Sequence, residues 1–419
     1  MTEDLVSALP MSERGRRFVG QPSHLVEAHF TAVADPFDPE RNPGGYVNLG
    51  TAENHLVFDL LEPRLAAARP VTADDTHYGV LHGTQEFRAT VARVLGSSVA
   101  VSLDPEHLIA MSGTSAILDA VAYATCDLGD AVIVPAPFYG GFEIDFSVRA
   151  GATIVPAQLS SDDGFALSPA AVVAAIEATR AEGRRVGAVA LISPHNPTAR
   201  VHSADAIAEL VRVTRELGVH LIVDEIYAMS AFGETPFASA LAHGAEHVHV
   251  VWGFAKDFAL SGFKVGILHT TNVELHAAVA AQAYLAPVST DVQRTIIELL
   301  ADDQWISGFL AESRLRLAAS CNHLERGLGR LGLPPTGAEA GVFSWADLRA
   351  HLPEQTWEAE EDLRRRIFDE AKINIAPASV FHGDEPGWFR ITHACEPALI
   401  DEALLRLGRV LNSSGDGSR

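Results

Sequence analysis

Residues 248–269 read Val248-His249-Val250-Val251-Trp252-Gly253-Phe254-Ala255-Lys256-Asp257-Phe258-Ala259-Leu260-Ser261-Gly262-Phe263-Lys264-Val265-Gly266-Ile267-Leu268-His269. Two short apolar runs, 248–252 and 265–269, bracket a turn, and their lack of polar alternation predicts strands buried on both faces. Between them stand Lys256 and Lys264, two of only three lysines in 419 residues. The third is Lys372, and the 31 basic residues less three leave 28 arginines. A chain that turns its cations into arginine keeps lysine where an amine is needed. A guanidinium cannot form a Schiff base with a carbonyl compound, whereas an amine can. Lys256 is therefore a candidate covalent nucleophile, the plainer alternative being a solvated surface lysine.

Outward from this segment the pattern repeats. Apolar runs at 107–111, 131–134, 153–155, 186–192 and 219–223 precede it, separated by helix-period stretches such as 205–217. Such an alternation predicts an α/β fold with a mostly parallel, doubly wound sheet. Helical stretches at 273–283 and 292–300 follow, and a long one at 303–331 bridges to a second unit. That unit mixes strands (342–345, 389–392) with helices (357–372, 397–411). The expected organisation is an N-terminal, loosely ordered arm over 1–40 and a large domain over 41–310 whose N-terminal segment contributes to the small domain. A small α+β domain over 311–411 and a disordered polar tail over 412–419 complete it.

With 47% hydrophobic residues the chain can bury a large core, and its net charge of -23 argues against nucleic acid or a membrane surface as partner. An anionic cofactor must then be gripped by local amides and a few placed cations. Cys126, Cys321 and Cys395 stand apart without metal-ligand spacing, which predicts buried free thiols, no metal site and a reducing cytoplasm. Residues 1–10 lack a basic start and a long apolar run, and no stretch is long enough to span a bilayer. The expectation is a protein neither exported nor anchored.

In open parallel sheets ligands collect at the carboxyl ends of strands. Asp224 ends the run 219–223 and leads into Glu225-Ile226-Tyr227, Asn196-Pro197 ends the run 190–193, and Ser112-Gly113-Thr114-Ser115 joins a strand to a helix expected over 116–125. Taken singly, each reads equally well as a cap, a turn or a helix start, although small residues at a helix start also let a phosphate approach free amides. Taken together, their order and spacing make the chain, from about residue 40 to 411, similar to the class I/II aminotransferase superfamily, the fold-type I pyridoxal-phosphate enzymes.

The resemblance implies pyridoxal 5′-phosphate as cofactor and assigns roles residue by residue. Lys256 matches the Schiff-base lysine and later acid/base at the substrate α-carbon, and Asp224 the partner of the pyridine nitrogen. Tyr227 and Asn196 match donors to the phenolic oxygen, and Tyr139, in Pro137-Phe138-Tyr139, the aromatic ring stacked on the cofactor. Gly113, Thr114, Ser115 and Lys264 match the phosphate cradle. Tyr78, in Tyr78-Gly79-Val80-Leu81-His82-Gly83, matches a tyrosine that reaches the phosphate of the other subunit, which implies a homodimer with shared active sites. A half-buried loop tyrosine is the alternative there. Arg390, in Glu385-Pro386-Gly387-Trp388-Phe389-Arg390, matches the clamp on the α-carboxylate of an amino acid, for which a guanidinium fork is suited. A structural salt bridge is its alternative.

Within the superfamily the chain most resembles the 1-aminocyclopropane-1-carboxylate synthases, which act on S-adenosylmethionine. The shared motifs are LGTAENHLVFDLL (49–61), HGTQEFR (82–88), VPAPFYGGF (134–142), AGVFSWADLR (340–349) and SVFHGDEPGWFR (379–390). In the first, Glu53 matches a carboxylate facing the substrate, and a negative group suits a sulfonium better than a second carboxylate. Otherwise Glu53 is an acid in the first turn of a helix expected over 53–66. Four departures touch the cofactor end: Lys264 stands for an arginine, Gly253 for a serine, Leu81 for a tyrosine and His195 for a small residue.

The resemblance implies a lyase or transferase in which the Lys256 amine removes the α-proton and methylthioadenosine is lost. The resulting α-carbanion either closes a ring or, after elimination, undergoes γ-substitution or annulation onto a second substrate. An electron-poor nucleus such as a nicotinamide nucleotide is one such acceptor, in specialised biosynthesis. An ordinary α-amino-acid aminotransferase is the second expectation, favoured by Tyr78 and opposed by Glu53. An effector-binding domain of a transcription regulator is the third, and the arm before the fold is too short to supply its DNA-binding module.

Overall fold

A computed structural model of the protein describes residues 11–19, 24–67 and 72–413. Seven strands form the central sheet: β1 (Leu108–Met111), β2 (Ala131–Ala136), β3 (Thr153–Gln158), β4 (Val186–Ile192), β5 (His220–Asp224), β6 (Val248–Gly253) and β7 (Gly266–His269). Their order is β1-β7-β6-β5-β4-β2-β3. Strands β2 to β6 run parallel, and β7 is antiparallel to both β6 and β1. The mostly parallel sheet read from the apolar runs is the sheet observed.

Alternate residues of these strands feed two cores, as the period-2 pleat requires. Ile133, Val189, Leu191, Val250 and Trp252 face one core with Phe87, Ile207 and Ile296 from flanking helices. Val132, Ala190, Ile222, Val251 and Leu268 face the other with Ile117, Val121 and Val279. Helices thus cover both faces of the sheet. The helix Asp303–Arg330 starts on Asp302, whose side chain accepts from the amides of Gln304 and Trp305. It runs from the first core at Ile306 and Phe309, past Leu317 in the second, to Leu324 and Leu328 in a third. That third core surrounds an antiparallel sheet of Ala376–Pro377, Trp388–Thr392 and Phe343–Asp347, and takes in Val47 and Leu49 from the N-terminal segment.

Several elements differ from expectation. The helix expected over 53–66 spans only Phe58–Leu65, so Glu53 lies outside it. Tertiary contacts and a local turn explain the delay: the Asn54 side chain accepts from the Leu56 amide at 3.0 Å, and the His55 amide donates to Ala394 O at 2.9 Å. The helix expected over 357–372 is α-helical over Trp357–Arg365 and then widens to a π turn, Arg366–Glu370, before Lys372 reverses the chain at φ 57°. Residues in the expected arm form helices Glu13–Val19 and His24–Ala34. The last helix, Pro397–Ser413, absorbs the first two residues of the expected tail, and 414–419 lie outside the described residues. All three cysteines are buried and free, and among the described residues no helix is long and apolar enough to cross a membrane.

Candidate active site

The carboxyl ends of β2, β4, β5 and β6 point to one region, and the chain leaves the sheet there with polar residues. Asp224 closes β5, is 6% exposed, and accepts from the Ile226 amide at 3.1 Å. Burial raises its carboxyl to about 7, opposed by that amide and by the charge of Lys256. Lys256 stands on the short helix Phe254–Asp257 that follows β6, the sheet neighbour of β5. Its Nζ donates to Ala52 O at 2.5 Å. Burial lowers the amine to about 8; Arg390 and Lys264 depress it further, and Glu53 and Asp224 oppose the fall. The amine is thus largely screened from water, bonded to the backbone and in the field of four candidate residues, unlike a solvated surface lysine.

Arg390 lies on Trp388–Thr392, only 3% exposed. Its Nη1 donates to Asn196 Oδ1 at 3.1 Å and its Nη2 to Gly50 O at 2.8 Å, while Nε has no partner. The rings of Phe343 and Phe381 stand 4.9 and 5.0 Å from the guanidinium carbon. Among the described residues no carboxylate pairs with it, so the structural salt bridge is not found. A buried cation with only neutral partners is costly, and an incoming carboxylate relieves that cost. Because a guanidinium only donates, Asn196 must turn its Oδ1 to Arg390, which leaves its amide NH2 as a free donor.

Tyr227, in the turn after β5, is 2% exposed, meets Phe343 edge-on at 5.4 Å, and has its hydroxyl pKa raised by burial. Tyr139 follows β2, and burial pushes its hydroxyl up to about 12, with the carboxyl of Asp145 adding to the rise. Its ring occupies space that only glycine at 141 leaves open, since a Cβ there would lie 2.3 Å from Tyr139 Cζ. Asp145 itself is 4% exposed with an unpartnered Oδ2 and a carboxyl raised well above the usual range by burial. Neither Gly141 nor Asp145 stands out in the sequence. Gly141 lies inside a quoted motif, and the Gly140-Gly141 pair after an aromatic residue was the available signal.

The phosphate end is a floor of glycines beneath a cation. Gly113, at φ 96°, starts the helix Thr114–Thr125 without a side-chain cap, so Thr114 and Ser115 are its first two residues rather than the loop before it. Lys264 folds over this start: a Cβ on Gly113 would lie 3.4 Å from its Nζ. Uncapped amides, two hydroxyls and an ammonium suit a phosphate dianion. Gly253, where a serine was expected, has no room for one. A Cβ there would lie 2.7 Å from Val265 O and 3.0 Å from Thr114 Cγ2, so the methyl of Thr114 fills the place of the missing side chain. His195 does not enter the cradle; it is 2% exposed, shares a hydrogen bond with Thr198 Oγ1 at 2.7 Å, and is kept neutral by burial.

Glu53 joins the site through its charge on Lys256 and through Ala52, its chain neighbour. Among the described residues its ionic neighbour is His55, at 3.8 Å. Tyr78 is the one candidate that this chain does not bring in: its side chain is fully exposed, not half-buried. Phe343, Phe381 and Gly50 are site residues that the sequence did not single out, and their contacts with Arg390 cross between segments far apart in the chain. A buried amine, a buried acid, amide and hydroxyl donors, an aromatic ring, an ammonium over an uncapped helix start and a guanidinium without a carboxylate partner lie at this end of the sheet and fit pyridoxal 5′-phosphate.

The model of the aminotransferase class I and II family matches residues 47–407. The 1-aminocyclopropane-1-carboxylate synthase 2 of Oryza sativa subsp. japonica is 34% identical over 93% of this chain and 85% of its own length. A 1-aminocyclopropane-1-carboxylate synthase of Nicotiana tabacum is 33% identical over 92% of this chain and 83% of its own. Among solved structures, the aspartate aminotransferase from Thermus thermophilus with maleate superposes with a TM-score of 0.80 at 25% identity, over 96% of this chain and 100% of that one. The chain belongs to the class I and II aminotransferase family, and its cofactor is pyridoxal 5′-phosphate.

Proposed function

We propose that the protein takes S-adenosylmethionine as its amino-acid substrate and releases methylthioadenosine, either closing a cyclopropane or passing the four-carbon unit to a second substrate. The observation that carries this reading is Glu53, a carboxylate whose field reaches the amine of Lys256. A negative group at that place attracts a sulfonium and repels the second carboxylate of an acidic amino acid. The synthase relatives at 34% and 33% identity support it.

When bound, the cofactor supplies a sink for the electron pair left at the substrate α-carbon. Arg390 takes the α-carboxylate, and the side-chain amide NH2 of Asn196 would donate to the phenolic oxygen beside the Tyr227 hydroxyl. The Asp224 carboxylate holds a proton at the pyridine nitrogen. Tyr139 covers the ring, while Thr114, Ser115, the Gly113 turn and Lys264 hold the phosphate. The Lys256 amine moves the α-proton, and Glu53 keeps the sulfonium close while the γ-carbon bond breaks. In the homodimer we infer, the exposed Tyr78 reaches the phosphate of a second copy.

Two measurements check this reading. Burial lowers the Lys256 amine to about 8, so the free fraction falls about tenfold per pH unit below that value. Its folded value is lowered, so deprotonation is reached earlier than for an ordinary lysine, and condensation of the cofactor-free protein with pyridoxal phosphate is expected to accelerate about tenfold per pH unit below that value and to level off above it. A rate still climbing at pH 10 contradicts the placement of Lys256. Glu53→Gln is expected to lower kcat/KM for S-adenosylmethionine about tenfold, about 1–2 kcal/mol for one half-exposed charge pair, with little change in the inhibition constant of methionine, which lacks the sulfonium. Equal losses for both ligands would remove Glu53 from substrate recognition.

A further inference from the structure

Asp257 follows Lys256 on the helix Phe254–Asp257, but its carboxylate reaches the chain that follows β5. Oδ2 accepts from the Met229 amide at 3.1 Å and from Trp252 Nε1 at 2.9 Å, and Oδ1 accepts from the Ser230 hydroxyl at 2.5 Å. Met229 and Ser230 are the second and third residues after Tyr227, and the Ser230 amide donates back to Tyr227 O at 3.0 Å. From the far side, Arg314 Nη1 donates to Met229 O at 3.3 Å. Asp257 is 1% exposed, and no ion pair to it is found among the described residues; burial raises its carboxyl to about 7, with the Ser230, Trp252 and Met229 donors and the charge of Arg314 opposing the rise. A buried acid whose direct donors are all neutral, with Arg314 reaching it only through its field, is an expensive way to fill space, since an apolar side chain would fill it at no desolvation cost. What the acid does, and an apolar residue cannot, is join two segments that carry different site residues.

We propose that Asp257 is a positioning residue: by tying the turn after Tyr227 to the helix that carries Lys256, it fixes where the Tyr227 hydroxyl stands relative to the Lys256 amine. The inference rests on the reading of Lys256 as the cofactor lysine and Tyr227 as a donor to the phenolic oxygen. A donor at that oxygen withdraws negative charge that would otherwise stabilise a proton on the neighbouring lysine–cofactor linkage. If the turn drifts, the donor drifts with it, and the linkage holds its proton to higher pH.

The experiment is a pH titration of the visible absorbance band of the holoenzyme in wild type, Asp257→Asn and Asp257→Ala, with kcat and KM measured on the same preparations. Asparagine can keep the tether. Its oxygen accepts from Met229 and Trp252, and its NH2 donates to Ser230, whose hydroxyl rotates to accept. The Asn variant is therefore expected to titrate within about 0.3 pH unit of wild type, and the Ala variant about one unit higher, with kcat lower by about 10–100-fold and KM little changed. Should the Ala variant fail to fold, Ser230→Ala and Trp252→Phe each remove one arm and are expected to move the midpoint upward by a smaller step. Midpoint and kcat at wild-type values in Asp257→Ala, or in both single-arm variants, would overturn the inference. So would an Asn variant displaced as far as the Ala variant, because charge rather than tethering would then matter. A wild-type holoenzyme with no pH-dependent visible band would instead overturn the reading of Lys256 itself.

Discussion

Replacing Lys256 by alanine is expected to abolish the visible absorbance of the protein-linked cofactor and to lower turnover by about four orders of magnitude or more. The size follows from the loss of two functions at once. In the proposed reading the amine is both the covalent attachment point and the base that must meet the α-proton; acid–base assistance alone accounts for about 10²–10⁴-fold. Lys256→Arg is expected to fail as completely, since a guanidinium keeps the charge but can neither condense nor give up its proton at these pH values. Spectra and turnover of the two variants check this, and an unchanged visible band in Lys256→Ala would refute the assignment. The chain's other lysines offer no substitute: Lys264 lies over Gly113, and Lys372 bonds to Tyr46 Oη at 3.1 Å.

Arg390→Leu is expected to raise KM for the amino-acid substrate by about 10²-fold, because a buried, charge-assisted pair with the α-carboxylate is lost, a change of about 3 kcal/mol. Stability should behave differently. Breaking a buried ion pair costs about 3–5 kcal/mol, but Arg390 has no carboxylate partner within the described chain, only Asn196 Oδ1 and Gly50 O. The expected loss of unfolding free energy is therefore below about 2 kcal/mol, the value of two neutral acceptors left unpaired against the relief of an unpaired charge. Steady-state kinetics and thermal melts of one preparation test both halves. A large destabilisation with unchanged KM would make Arg390 structural.

The sheet was legible because parallel strands are apolar on both faces, so 186–192 and 248–252 stand out from their flanks without any alignment. Asp224 at the end of 219–223 and Asn196 after 190–193 were legible for a related reason: a polar residue closing a buried strand must have a partner, and the two proved to sit together with Lys256 and Arg390. What the sequence hid was contact between distant segments. The motif around Glu53 has helical composition, but Ala52 and His55 give their backbone groups to Lys256 and Ala394, and the helix waits until Phe58. Gly253 reads as a lost hydroxyl until Thr114 is seen to occupy the same space. Asp257 reads as the neighbour of a lysine, and only the folded chain shows three donors converging on it.

The same packing bears on the departures from the synthase motifs. Lys264 folds over the start of the helix Thr114–Thr125, Gly253 packs against Thr114 and Val265, and His195 shares a hydrogen bond with Thr198 Oγ1. In the proposed reading Lys264 and Gly253 bear on the grip on the cofactor rather than on the place where a sulfonium would stand, beside Glu53. In that reading loss of the thioether is common to both products. The most direct measurement is methylthioadenosine release when purified holoenzyme meets S-adenosylmethionine, followed with and without an electron-poor acceptor such as a nicotinamide nucleotide. The account predicts release, accompanied by a cyclopropane amino acid if the ring closes or dependent on acceptor if the carbon chain is transferred. Transfer of the amino group to a keto acid with the thioether retained would contradict it.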